Sequence, residues 1–140
     1  MKNNRKRSAF TLIELLVVIV IMALLASLVA PKLFGKLDDA KVKTAYNQIQ
    51  MLSTALDTFR LDVGRYPTTQ EGLKVLWAKE SDIKNWNGPY LPKKVDKDSW
   101  GNPYHYKRPG SNKHEYDLFS YGSDGKEDGS GTAADISVWD

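Results

Sequence analysis

Phe10-Thr-Leu-Ile-Glu14-Leu-Leu-Val-Val-Ile-Val-Ile-Met-Ala-Leu-Leu-Ala-Ser-Leu-Val-Ala30 is an apolar run of 21 residues that carries a single charge. A helix needs about 20 such residues to cross a bilayer. The residues before it are basic: Lys2, Arg5, Lys6 and Arg7 are present, and residues 1–9 hold none of the 17 acids. That charge bias predicts a single-pass segment with its N-terminus on the cytoplasmic side. A cleaved secretory signal is the competing reading. The run is long for a signal core, and no small-x-small site closes it, since Leu28 lies two before Ala30 and Pro31 directly after. Glu14, four residues into the run, is the most informative residue. A carboxylate inside a membrane segment costs a few kcal/mol, so it either lies at the headgroups or has a cationic partner.

Downstream of this run the helical pattern passes Pro31 and Gly35 and resumes. Ala45, Ile49, Leu52, Leu56, Phe59 and Val63 recur at intervals of four and three, which is one apolar stripe on an amphipathic helix. Gly64 supplies a stop signal. A continuous helix from Phe10 to Val63 would be roughly 80 Å long at about 1.5 Å per residue. Pro31 removes one hydrogen bond and bends such a helix without ending it, because lipid-embedded or assembled helices tolerate proline. Residues 10–30 are apolar nearly all round, and no later segment is long and greasy enough to cover them. They call for lipid or for copies of themselves, and a helix coverable only by identical helices assembles into filaments.

From Gly64 on, the composition shifts to glycine, proline and aromatics. The pattern predicts a short helix over Leu73–Ala78, a strand over Tyr104–Arg108, a hairpin through Pro109–Lys113 and a second strand over Tyr116–Tyr121. The fold class is therefore α+β, a long N-terminal helix packed on a small antiparallel sheet. The organisation reads as a leader 1–9, an apolar helix 10–30, its amphipathic continuation 31–63 and a globular head 64–140.

Composition closes several doors. The sequence pI is about 9.0, but from Phe10 onward sixteen basic residues face seventeen acidic ones, a net of −1. The basicity is confined to the leader, so no phosphate-binding surface for nucleic acid is indicated. There is no cysteine, which excludes disulfides, cysteine-ligated zinc and thiol catalysis. His105 and His114 are well separated and suggest no catalytic or metal pair. No phosphate-binding glycine loop, nucleophile elbow or His-Glu-x-x-His motif occurs, and the chain reads as a non-enzyme.

Ala9-Phe10-Thr11-Leu12-Ile13-Glu14 behind a basic leader resembles the N-terminal signal of the type IV pilin and type II secretion pseudopilin family. The resemblance extends along the head through Gly64-Arg-Tyr-Pro-Thr-Thr69, Gly88-Pro-Tyr90, Trp100-Gly-Asn-Pro-Tyr104 and Asp117-Leu-Phe-Ser-Tyr-Gly-Ser-Asp-Gly125. It is strongest with the major-pseudopilin branch; pilins proper usually close a C-terminal loop with a disulfide, which this chain cannot form. Ala9 stands where the family usually has glycine, and Ser99 where it often has proline.

The resemblance implies cleavage between Ala9 and Phe10 by a prepilin peptidase, with N-methylation of Phe10. It also implies that the Phe10 amino group of one subunit meets Glu14 of its neighbour, so that two buried charges offset each other. It implies an inner-membrane protein with a periplasmic head that polymerises into a pseudopilus exporting folded proteins across the outer membrane. The partners implied are further copies of the chain, minor pseudopilins, the peptidase, an assembly platform with its ATPase and, before assembly, lipid. A minor pseudopilin or a type IV pilin is the nearest alternative, and a membrane-anchored calcium-binding module that never polymerises is a more distant one.

The last segment, Tyr121 to Asp135, holds four acids and four glycines. Its spacing is not that of an EF-hand, and composition alone is compatible with a solvated acidic turn. By resemblance the loop binds Ca²⁺, with Asp124 and Asp135 as carboxylate ligands, Tyr121 and Lys126 as main-chain donors, and Ser130, or alternatively Asp128, completing the set.

Overall fold

A computed structural model describes residues 9–80 and 82–140; the basic leader residues Lys2, Arg5, Lys6 and Arg7 lie outside the described residues. Helix α1 runs without interruption from Leu12 to Val63, 52 residues, with Pro31 inside it. It begins two residues after Phe10 because Thr11 caps it. The Glu14 N–H donates to Thr11 Oγ1 at 3.3 Å, and the Leu15 N–H to the Thr11 carbonyl at 3.2 Å. Thr11-x-x-Glu14 is thus the start of a capping box, with the acidic residue in the first turn where the helix dipole favours it. The chain divides into two compact units within this helix, Met1–Leu37 and Asp38–Asp140.

In the first unit every helical residue from Leu12 to Val29 is exposed, with Leu12 at 86 % and Ile19 at 57 %. Among the described residues this is the one helix long and apolar enough to cross a membrane.

In the second unit the predicted stripe is the core. Ala45, Ile49, Leu52, Leu56 and Phe59 are buried, joined by Ala55, while Val63 is half-buried at the margin. They pack with Tyr66, Leu73, Val75, Leu76, Ile83, Leu91, Tyr104, Tyr116, Leu118 and Ile136. Tyrosine hydroxyls fasten the helix flanks: Tyr104 donates to Gln48 Oε1 at 2.6 Å, Tyr66 to Asp57 Oδ1 at 2.8 Å and Tyr90 to Asp62 Oδ2 at 2.9 Å, while the Tyr116 and Ser53 hydroxyls share a 2.9 Å bond. Each ring gives apolar area to the core and each hydroxyl finds a partner at its edge. Burial pushes the Tyr104 and Tyr106 phenols well above their ordinary value, so both remain protonated donors. Ser99 donates to the Lys41 carbonyl at 2.7 Å, a bond that proline could not make.

The sheet has three antiparallel strands in the order β1 (His105–Lys107), β2 (Asp117–Ser120), β3 (Ile136–Ser137). Tyr106 pairs with Leu118, and Ser120 with Ile136. The first two strands are the predicted hairpin, each shorter than expected by a residue at either end. Strand β1 stops before Arg108, whose N–H is taken by Thr69 Oγ1 at 2.9 Å, and Pro109 has no N–H to offer. The expected helix at Leu73–Ala78 is a 3-10 turn, Leu73–Leu76. It ends there because the Leu76 carbonyl accepts the N–H groups of Tyr90 at 2.7 Å and Leu91 at 3.1 Å.

Candidate functional site

Two places carry the functional expectations, one in each unit. In the first, Ala9 and Phe10 are exposed and outside regular structure, immediately before the Thr11 cap. The peptide bond between them is therefore presented as open chain, the form a peptidase accepts. Glu14 is exposed on the first turn of α1 among apolar neighbours. The capping role of Thr11 was missed at the sequence level, although Thr-x-x-Glu before an apolar run is its signal.

The second place is the acidic loop. After β2 the chain makes a 3-10 turn, Gly122–Asp124, then a second, Gly131–Ala133, before β3. The two turns are laid against one another: Ser123 Oγ and Thr132 Oγ1 are 3.2 Å apart. A side chain at Gly122 would come within 2.7 Å of the Ala134 carbonyl oxygen and 2.8 Å of that of Thr132. One at Gly129 would meet the Ala133 oxygen more closely still. Both glycines have positive φ, 71° and 125°, so conformation and space alike demand them.

The five expected ligand residues all lie along this folded loop. Tyr121 is half-buried just before the first turn, its ring 4.4 Å from that of His105. Asp124 ends that turn, and its Oδ1 accepts the Lys126 N–H at 3.1 Å. Ser130 precedes the second turn, and its carbonyl accepts the Ala133 N–H at 3.1 Å. Asp135 Oδ2 accepts the Asp128 N–H at 3.1 Å, which joins the end of the segment to its middle. The structure thus brings Asp135 to Asp128, while the hydrogen bond of Asp124 is local.

Among the described residues no three His, Asp or Glu side chains converge as a ready metal cluster, so main-chain oxygens would have to complete any cation shell. The donor chemistry fits a hard cation. Asp124, Glu127, Asp128 and Asp135 are exposed, and no lysine or arginine among the described residues forms an ion pair with them. Two carboxylates, each bonded at one oxygen only, stand beside backbone carbonyls in a loop without nitrogen or sulfur ligands, the donor type that Ca²⁺ takes.

Buried polar side chains support the loop from beneath, and they too went unread in the sequence. Asp98, 7 % exposed, accepts the N–H groups of Trp100 at 3.0 Å and Asn102 at 2.9 Å on Oδ1. Its Oδ2 accepts the hydroxyl of the fully buried Ser120 at 2.6 Å.

Comparison with known proteins bears on the family and the fold. The family described as "Type II secretion system (T2SS), protein G" matches residues 32–139, and the prokaryotic N-terminal methylation motif matches residues 4–30. The type II secretion system core protein G of Pseudomonas aeruginosa is 48 % identical over 140 residues, covering 98 % of both chains. That of Vibrio cholerae is 44 % identical over 142 residues, covering 99 % of this chain and 96 % of its own. The crystal structure of the major pseudopilin from the type 2 secretion system of enterohaemorrhagic Escherichia coli superposes with a TM-score of 0.63 at 33 % identity, over 76 % of this chain and 89 % of that one. An apolar helix headed by Phe10 and Glu14, a head built on the continuation of that helix, and relatives matched along nearly their whole length lead to one conclusion: this chain belongs to the type II secretion system protein G family, the major pseudopilins, and is a structural subunit of the pseudopilus.

Proposed function

We propose that the chain is made as an inner-membrane precursor, cut between Ala9 and Phe10 by a prepilin peptidase and methylated on the new amino group. Its head then stands in the periplasm, and the mature subunit polymerises. The observation that carries this reading is the helix from Leu12 to Val29, apolar and exposed all round, with one carboxylate at its start. Such a surface is stable in lipid or against copies of itself and nowhere in between. In a stack of these helices Glu14 faces an environment without water, and the Phe10 ammonium of the adjacent copy is the counter-charge that makes the arrangement tolerable. Minor pseudopilins, an assembly platform and its ATPase are the partners of growth, and the growing filament moves folded proteins across the outer membrane. Mass spectrometry of chain recovered from a host with an active peptidase is expected to give a mature protein beginning at Phe10 with one added methyl. A chain retaining Met1–Ala9, or one cut near Ala30, overturns the reading.

The acidic loop is assigned to Ca²⁺, held by the carboxylates of Asp124 and Asp135 with main-chain oxygens of Tyr121, Lys126 and Ser130. The support is the acidic charge of a loop whose backbone is already folded on itself and which pairs with no lysine or arginine among the described residues. A bound ion there supplies a cross-link between the segment after β2 and the segment before β3, in a head that has no disulfide.

A further inference from the structure

Gly122 is gripped from both ends of its peptide. Its N–H donates to Ser120 Oγ at 3.1 Å, and Ser120 in turn donates to Asp98 Oδ2 at 2.6 Å. Its carbonyl accepts Asn102 Nδ2–H at 3.1 Å. Asn102 is itself fixed, because its N–H donates to Asp98 Oδ1 at 2.9 Å and its carbonyl accepts the Asp98 N–H at 2.7 Å. The four residues close a ring: Asp98 to Ser120 to Gly122 to Asn102 and back to Asp98. Against the α-carbon of Gly122 lie the carbonyls of Thr132 and Ala134, so close that a Cβ would not fit. The same Asn102 side chain passes under Gly125, 3.1 Å from where a Cβ would be. The residues expected to hold the ion adjoin these fixed points: Tyr121 precedes Gly122, Asp124 precedes Gly125, Lys126 follows Gly125, and Asp135 follows Ala134.

We infer that Asn102 and Ser120, anchored on the buried Asp98 carboxylate, are positioning residues for the cation loop, setting its affinity without touching the ion. This rests on the calcium reading given above. A loop held at Gly122 and Gly125 before the ion arrives loses less conformational freedom on binding, and the ordering cost is a direct subtraction from affinity. Groups that orient metal ligands from behind typically change metal affinity by about 10–100-fold when removed. Asp98 is unsuited to the test, since three donors would lose their acceptor at once. Asn102→Ala removes the grip on the Gly122 carbonyl, and Ser120→Ala independently removes the grip on its N–H.

The test is calorimetric titration of the full-length chain in detergent micelles with CaCl₂, alongside melting in excess chelator. Both variants are expected to bind Ca²⁺ about 10–100-fold more weakly than the unaltered chain, at temperatures where each is folded. A purely structural role would lower the chelator melting point and leave the dissociation constant of the folded chain alone. Variants that melt lower yet bind as tightly as the unaltered chain overturn the positioning role. An unaltered chain that takes up no calcium overturns the calcium reading itself, and this assignment with it.

Discussion

The two halves of α1 are one helix written in two solvents. From Leu12 to Val29 apolar residues occupy every face and every residue is exposed. From Ala45 to Phe59 they hold one stripe, and that stripe is buried by residues of the head. The local hydrogen-bonding is the same, so the difference lies in what the sequence provides to cover each half. The second half carries its cover within its own chain, at distances of up to about ninety residues. The first half carries none and depends on the environment. Stability is therefore an intramolecular property in one half and an intermolecular one in the other.

The sharpest way to break that contrast is at Glu14. Glu14→Ala makes an apolar helix more apolar, so membrane insertion is expected to persist. Filament yield should fall by about tenfold or more, because the incoming ammonium loses its counter-ion. Counting fibres by electron microscopy, against membrane-inserted chain from the same cells, checks it; normal fibre numbers would place Glu14 outside the assembly contact. The next largest effect should be confined to the head. Phe59→Ala removes a fully buried ring packed edge-on to Tyr90 at 5.6 Å and is expected to cost about 3–5 kcal/mol in denaturant unfolding of the micelle-held chain. Leu16→Ala, on an exposed position, should leave that same transition within about 0.5 kcal/mol. Equal effects at the two sites would erase the distinction between the halves.

A smaller effect is expected from the acidic loop. Calcium at a hundredfold excess over its dissociation constant should stabilise the head by about 2.7 kcal/mol relative to chelator. That is roughly 10–20 °C in melting temperature for a domain of this size. Mg²⁺ should serve less well because it demands tighter octahedral geometry, and Asp124→Ala should remove most of the difference. Coincident curves with chelator and with calcium would return the loop to an ordinary turn.

The smallest effect concerns acid. Arg65 grips Glu71 with two hydrogen bonds, of 2.7 and 2.8 Å, and the Thr68 N–H adds a third at 2.8 Å. The Arg65 bonds first, with Thr68 assisting, hold the Glu71 carboxyl at about 2, against 4.5 for an ordinary glutamate. A carboxyl lowered by folding stabilises the head above about pH 4.5, and that contribution is lost as the pH falls toward 2. Because the pair is partly exposed, about 1 kcal/mol or less is expected. Glu71→Gln should lower stability by that amount at neutral pH, leave it unchanged near pH 2 and so flatten the acid limb between; an unaltered limb would show the pair to be inert.

The helix was legible because periodicity repeats: six positions of one stripe over Ala45–Val63 leave little room for another reading. The hairpin was legible from its flanking turn residues. Strand β3 was not, since Ile136–Ser137 is too short to alternate and is defined only by its partners Phe119 and Ser120. The Leu73 helix was over-read because the loop at Tyr90–Leu91 takes the Leu76 carbonyl, a tertiary event that no local pattern encodes. The loop's acids were visible in the sequence. Its support was not, because Asp98, Asn102 and Ser120 look like ordinary turn and strand residues until folding brings Gly122 between them.

The placement of the core stripe has a consequence in time. Ala45 to Phe59 is synthesised well before the residues that cover it, and the last of these, Ile136, lies four residues from the end. At about 5–20 residues per second, the gap between Val63 and Asp140 is roughly 4–15 s. During those seconds the apolar run has already left the ribosome and can meet a membrane, while the stripe behind it has nothing to pack against. An apolar run that needs cover is thus available to a membrane before the head that follows it can fold.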